Sequence, residues 1–532
     1  MSDRAITFTA TFVVLFLSAF FYQLFNVVQF FHALYPSATP LSFLAALAFS
    51  GLFYRLQYSE FSTAFKVLLR GVAIISLAYF IGTYPAYPDV TGVFRGYAMA
   101  VTFLAWGVAI GAALLTLWRP SWAFVVGFYL WWSKDLAIHI TGLNISTLTV
   151  FPLWQALMLS VIAAVMLKVL SSDGIQRFRF ANEFNLKRLF ESKAHIADGI
   201  VFGVMCIHLA NYFYSGWRKA TLSGGFTSWV GENQPGNIFV VALDNQQIGW
   251  IEWFDVAVQL LNAMNPITLL LTFVILVGQL AAIIVFRWRG TLIVFFLFAD
   301  LLHLGIFMLV GANFGEWFLL NIALGVAIAF TRADIFSWRY AVLGAVIILT
   351  APSAFTVARL GWYDSLANNK TVFLVEDAEG NRTTVPSSYF LYYSNKIGHM
   401  SFGHPPGKYF PIATNGGVYQ QRGLVEKART CSFRPGESRS PFADIWNAGA
   451  VTKFIKGYHQ YALGRSEDGR SPNYHLYWHH WYPPPSVHET FRAVDLRNIV
   501  AYVLKIESVC LRIEDNKIHR DVKYVNEFRI EL

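Results

Sequence analysis

Charge is scarce in this sequence. Charged residues make up 14% of its 532 positions, against about 25% in a soluble globular protein. That shortage excludes a chain whose whole surface meets water. Cysteine is rarer still, with three residues: Cys206 lies in an apolar run, while Cys431 and Cys510 sit in the polar C-terminal part. Those two could pair if that part faces an oxidising space. There is no internal repeat, which disfavours a transporter built from duplicated halves, and no low-complexity tract. A cleavable leader is not evident, because the first apolar stretch, 8–34, is too long and reads as an uncleaved span. The net charge of +9 carries no nucleic-acid signature; in a chain of this kind charge mostly records topology.

What remains is apolar. Hydrophobic residues reach 55%, aromatics 17%, and mean hydropathy is +0.45. About eleven runs approach the length a bilayer demands: 8–34, 41–54, 67–83, 96–118, 122–139, 148–170, 196–216, 265–289, 291–310, 317–330 and 340–351. An interfacial lead-in, 254–264, precedes Asn265-Pro266, and the loop between Lys219 and Trp250 reads as polar. Basic clusters at Arg55/Lys66, Arg119, Arg177 to Lys193, Arg287/Arg289 and Arg332/Arg339 all fall on one side. By the positive-inside rule that side is cytoplasmic. The N-terminus is then inside, and the loop after Lys219 and the C-terminal part are outside, in a periplasmic, extracellular or lumenal space.

The character changes near residue 359. Prolines, glycines and charges appear, with alternating β-rich runs such as Thr371-Val-Phe-Leu-Val375 and Val509-Cys-Leu-Arg-Ile513. The expected fold is an all-α polytopic membrane domain over 1–358 and a β-leaning extramembrane domain over 359–532. Asn144-Ile-Ser146, Asn369-Lys-Thr371 and Asn381-Arg-Thr383 are glycosylation triplets on the expected outer side.

Two stretches carry candidate chemistry. In His208-Leu-Ala-Asn-Tyr-Phe-Tyr-Ser-Gly-Trp-Arg-Lys219, residues His208, Tyr212, Ser215 and Lys219 are spaced four, three and four apart, so a helix puts them on one face. Such groups are expensive on a membrane helix. The bland alternative is a helix end with Tyr214, Trp217, Arg218 and Lys219 as an interfacial belt. In the second stretch Asp300 stands three residues before His303 on one face. Intramembrane ionisable residues point to function; the alternative is a packed histidine partnered by Asp300. Lys219 and His303 both belong to the outer half of the membrane domain and could meet in one cavity.

The run Tyr212-Phe-Tyr-Ser-Gly216-Trp-Arg-Lys219, followed by His303 and its glycine-rich aromatic tail through Leu320, resembles the horizontally transferred transmembrane domain family. That family includes the vitamin K-dependent gamma-glutamyl carboxylases. The resemblance covers about 196–332. It implies that Lys219, second of two consecutive basic residues, is the catalytic base, and that His303 is a further catalytic residue. His208, Tyr212, Arg218 and Asp300 would then line the site. A reduced vitamin K-type quinone is the implied cofactor, and no metal is called for. A general base needs a free amine, and desolvation moves a lysine from its aqueous range near 10.4 toward that state. Arg218 would help by disfavouring the protonated amine, and Tyr212 and His303 would orient or stabilise an oxyanion. Two departures stand out. The further histidine of the carboxylases has only His139 to match it, and the C-terminal domain lacks their evident propeptide-gripping pattern.

Partners implied are the lipid bilayer, a lipid quinone, a glutamyl-containing protein substrate and a protein bound by the C-terminal domain. The rival reading is a non-catalytic membrane scaffold or assembly subunit of the same fold. A third stretch, His475 to His488, places His475 and His479 at a metal-ligand spacing. Pro483 to Pro485 follow at once, and an aromatic packing surface is the plainer reading. Lys134-Asp135 reads as an internal ion pair, Gln279 as a helix contact and His32 as interfacial.

Overall fold

A helix rises about 1.5 Å per residue, so about twenty apolar residues match a bilayer core. In the computed structural model, six helices among the described residues are long and apolar enough to cross a membrane. The structure describes residues 3–34, 39–83, 98–141, 143, 150–172, 175, 186–250, 254–393, 397, 402–412, 417–418, 422–434, 443–466, 468–471, 483–515 and 517–532. The helices are α1 (Asp3–Leu34), α2 (Thr39–Leu52), α3 (Thr63–Gly82), α4 (Ala98–Thr116), α5 (Ala123–Thr141), α6 (Phe151–Leu170) and α7 (Lys193–Ala220), then α8 (Ser228–Glu232), α9 (Pro235–Asp244), α10 (Phe254–Met264), α11 (Thr268–Ala281), α12 (Arg289–Val310), α13 (Gly315–Ala329) and α14 (Trp338–Ala354).

Each of the eleven apolar runs holds a helix among the described residues. The six of spanning length and hydropathy lie in α1, α3, α6, α7, the α10–α11 pair and α12. The count of eleven crossings goes beyond these six, since α2, α13 and α14 are only 14, 15 and 17 residues long. The lead-in α10 and the span α11 form one near-continuous rod, joined by a single tight turn at Asn265–Ile267.

α7 is the axis of the bundle. The whole of its most apolar window is buried, whereas α11 and α12 expose most of theirs. Leu269, Leu270, Phe273, Leu297, Leu301 and Leu304 all face outward, as lipid-facing side chains do. At one end of the bundle charges gather between helices. Glu60 pairs with Lys168 at 2.7 Å and Lys193 at 3.2 Å, and buried Asp198 accepts from the Arg332 backbone N–H at 3.1 Å. Lys219 is at the opposite end of α7.

The stretch between Lys219 and Trp250, expected as a polar loop, holds α8 and α9 and forms the platform for the C-terminal domain. Val240 and Val241 of α9 pack against Val509 and Leu511. Asp244, at the end of α9, pairs with Lys370 at 3.4 Å and Arg520 at 2.9 Å.

The C-terminal domain is built on an antiparallel sheet of order β3-β2-β5-β6, from β2 (Ala367–Asp377), β3 (Arg382–Val385), β5 (Ile499–Glu514) and β6 (Lys517–Glu531). A two-stranded sheet pairs β1 (Tyr363–Asp364) with β4 (Gly417–Val418). Helices α15 (Arg422–Arg429), α16 (Ala448–Gly464) and α17 (Pro485–Arg492) complete it. Tyr389, Phe390, Phe454, Tyr458 and Phe491 form its aromatic core. Cys431 and Cys510 are disulfide-bonded. Asn369 is fully buried, with its amide donating to the Phe410 and Ile412 carbonyls, so that triplet is closed to glycosylation in the folded chain. Asn381 is exposed in the β2–β3 turn. Asn144 lies outside the described residues, as do His475 and His479.

Candidate functional site

The polar face of α7 divides into two clusters that meet different parts of the fold. The first is centred on Asn321 of α13, buried with no exposure. Its Oδ1 accepts from His208 Nε2 at 2.8 Å, and its amide nitrogen donates to Tyr212 Oη at 2.9 Å and to Asp300 Oδ1 at 2.8 Å. One carboxamide thus ties α7 and α12 to α13 through both its donors and its acceptor. Around this hub the rings of His208, Tyr212 and His303 surround Trp317, at centroid distances of 5.7, 6.1 and 5.8 Å. His303 stacks on Phe314 at 5.4 Å and lies 5.8 Å from Tyr212. The Nδ1 atoms of His208 and His303 are buried without a partner among the described residues. Four of the six expected site residues, His208, Tyr212, Asp300 and His303, therefore come together.

The second cluster is at the C-terminal end of α7. Beyond α14 the chain is extended, and its buried backbone groups need partners. α7 supplies them at four-residue steps. The Ala358 N–H donates to Asn211 Oδ1 at 2.9 Å, and the Leu360 N–H donates to Ser215 Oγ at 3.2 Å. Lys219 Nζ then donates to the Leu360 carbonyl at 2.7 Å and to Gln279 Oε1 at 3.0 Å. The amine also lies 5.4 Å from the Trp229 ring centroid, within cation–π range.

Two glycines permit this crowding. A Cβ on Gly216 would come within 2.9 Å of Gln279 Cβ, and one on Gly361 within 2.7 Å of Arg218 Cγ and 3.0 Å of Lys219 N. Both are closer than side-chain carbons approach, so only glycine lets α11 and the extended segment reach Lys219. The stem of Arg218 is packed against Gly361, and no carboxylate stands within ion-pair distance of Arg218 or Lys219 among the described residues.

The roof over Lys219 comes from α8 and the C-terminal domain. Ala220, Leu222, Trp229, Leu276, Tyr363, Phe410, Val418, Val425 and Cys510 form one apolar cluster, with Cys431 packed on it. Trp229 Nε1 donates to the Trp362 carbonyl at 2.7 Å. Trp362 Nε1 and Asn233 Nδ2 each donate to Asp364 at 2.9 Å. Burial raises the Asp364 carboxyl to about 6, while those two donors and the charge of Lys219 pull it back.

The sequence left Lys219 and His303 able to meet in one cavity. In the fold His303 joins the Asn321 hub, and Lys219 has a separate set of partners. Asn321, Gln279 and Asp364 hold the two clusters together. Two of these carry a sequence signal, Gln279 and Asn321, each a polar residue inside an apolar run; Asp364 carries none. His139 lies in α5, but its side chain, like those of Lys134, Asp135 and His32, is outside the described residues.

A further cavity of about 470 Å³ lies between α1, α7 and α14. Phe12, Phe16, Phe20, Gly203, Ile207 and Val346 are among its lining residues. No protein-family model, no curated protein and no solved structure matches this chain.

Proposed function

We propose that this chain is a membrane enzyme resembling the vitamin K-dependent gamma-glutamyl carboxylases, with Lys219 as general base toward a reduced lipid quinone. The observation that supports it is the setting of the Lys219 amine. It is held on neutral oxygens, roofed by an indole and has no carboxylate in contact among the described residues. A lysine kept only for packing has no need of such shielding, whereas an amine that must shed a proton does.

The chain offers a fitting place for a lipid tail. The apolar cavity beside α7 would hold a hydrocarbon chain between the Phe12, Phe16 and Phe20 rings and the floor made by Gly203 and Ile207. Ile207 is twelve residues from Lys219, about 18 Å along a helix. A reduced quinone, when bound, would supply through its own oxidation by molecular oxygen the driving force for removing a poorly acidic carbon proton, with carbon dioxide trapping the carbanion. Lys219 would take the quinol proton. Gln279 Oε1 and the Leu360 carbonyl would hold the resulting ammonium. The Asn321 hub would fix Tyr212, Asp300 and His303, with the two bare histidine nitrogens free to meet a polar ligand. On this reading the basic end of the bundle is cytoplasmic, by the positive-inside rule. Lys219 and the C-terminal domain face the outside, where a disulfide persists.

The complete pairing of Asn321 favours a second reading, in which that hub is structural glue in a non-catalytic scaffold. Purified protein in nanodiscs, given reduced vitamin K or menaquinone, oxygen and labelled bicarbonate, separates the two. The carboxylase reading expects quinone epoxide from the wild type and none from Lys219→Ala. Neither epoxide nor quinone binding by the wild type overturns it and leaves the scaffold.

A further inference from the structure

Lys219 and Asp364 are opposite charges in one shielded cluster, and each is held by neutral groups alone. The amine has Gln279, the Leu360 carbonyl and the Trp229 ring. The carboxylate has Asn233 on one oxygen and the Trp362 indole on the other. Neither has an ion-pair partner within 4 Å among the described residues. A continuous set of contacts joins them: Lys219 lies by Trp229, Trp229 donates to the Trp362 carbonyl, and Trp362 donates to Asp364.

The backbone of Asp364 is pinned as well. Its N–H donates to Asn233 Oδ1 at 2.7 Å, and its carbonyl accepts from Asn237 Nδ2 at 3.2 Å. Two α8–α9 asparagines and a strand of the C-terminal domain thus fix one carboxylate beside the roof of the Lys219 site. Holding a charge on neutral donors this way is costly, and hydrophobic packing alone would not call for an acid here.

We infer that Asp364 is a positioning residue for Lys219: a counter-charge, supplied by the C-terminal domain, that acts on the amine through space and sets how readily it gives up its proton. The inference rests on Lys219 being the working amine proposed above. The raised carboxyl of Asp364, at about 6, leaves it ionised at neutral pH, and the charge of Lys219 is among the forces acting on it. Other charged groups on the packed elements are Arg218 on α7, Arg359 on the extended segment, Glu232 on α8 and Glu426, Lys427 and Arg429 on α15. Arg359 lies over the Tyr214 ring at 5.6 Å, and Arg429 donates to the Glu232 carbonyl. α11 contributes Gln279, which is neutral.

The test reads the amine directly. The full chain in nanodiscs is pulsed with acetic anhydride at neutral pH, and modification of Lys219 is followed by peptide mass spectrometry. Loss of a counter-charge that lies beyond contact distance should make Lys219 in Asp364→Asn react about five- to tenfold faster than in wild type. Asp364→Glu should return the rate to near the wild-type value, which a purely structural role would not require. Equal rates in wild type and Asp364→Asn, with the disulfide intact, overturn the inference. If Asp364→Asn does not fold, Asn233→Ala decides. It removes one donor from the carboxylate and should speed labelling by a smaller factor, and no change refutes the inference. Labelling does not depend on quinone turnover, so the counter-charge and the carboxylase reading can fail separately.

Discussion

The two polar clusters on α7 are built on opposite plans. Around Asn321, side chains of three helices satisfy one another, and the groups they leave bare are imidazole nitrogens. Around Lys219, a charged side chain is satisfied by backbone and amide oxygens, and what is missing is a contact counter-ion. The first plan rigidifies, since each member has its partner on a separate helix. The second keeps a charge poised. One helix face, stepping in threes and fours, serves both, because at its C-terminal end it meets an extended chain as well as helices.

The comparison can be broken at its strongest points first. Asn321→Leu keeps the volume but strands Asp300, His208 and Tyr212. At about 1–3 kcal/mol for each buried group left unpaired, a loss of at least about 3 kcal/mol is expected. A thermal unfolding scan in nanodiscs checks it, and a Tm within 1 °C of wild type would contradict the hub. The labelling rate of Lys219 should not follow, since the two clusters share no partner and distant sites add independently.

Reducing the Cys431–Cys510 bridge releases a loop closed over 79 positions, worth about 2–4 kcal/mol. Here the expectation reverses. Protease cleavage should begin in the C-terminal domain, and Lys219 should label faster as its roof loosens, while the helices around Asn321 stay protected. Simultaneous cleavage of both regions would show one cooperative unit instead of two.

Gly361→Ala forces a methyl against Arg218 and the Lys219 backbone. Overpacking of this kind costs about 1–3 kcal/mol, and the readout is a lower Tm together with altered Lys219 labelling. An unchanged Lys219 would mean that the extended segment does not position it.

The smallest effect is in pH. Asp364 has a folded value raised to about 6, above its unfolded value of about 3.9. Its stabilising contribution is therefore full below about pH 4 and is lost as pH rises through about 6. The difference in stability between wild type and Asp364→Asn should change across that window and be flat above about pH 7. A flat difference throughout denies the burial of the carboxylate.

Much of the helical scaffold was legible. Each apolar run holds a helix, because sustained hydrophobicity dominates any local preference, although only six of the helices described are of spanning length. α9 was hidden because Asn245, Gln246 and Gln247 made its surroundings read as loop, although Ile238 to Leu243 is apolar throughout. The site was half legible. Helical spacing brought His208 to Tyr212 and Asp300 to His303. It could not tell that α13 would insert Asn321 between them. Nor could it foresee that the chain beyond Ala354 would double back along α7, since that contact is made by backbone, which every residue carries.

That returning segment has a mechanical meaning. Asn211, Ser215 and Lys219 grip alternate peptide groups of 358–360, much as a neighbouring strand would. The C-terminal domain therefore does not hang from the bundle on a slack tether. A load on its sheet, from a bound polypeptide or a neighbouring protein, is delivered at the first peptide group that α7 holds, and the last rung of that ladder is the amine itself.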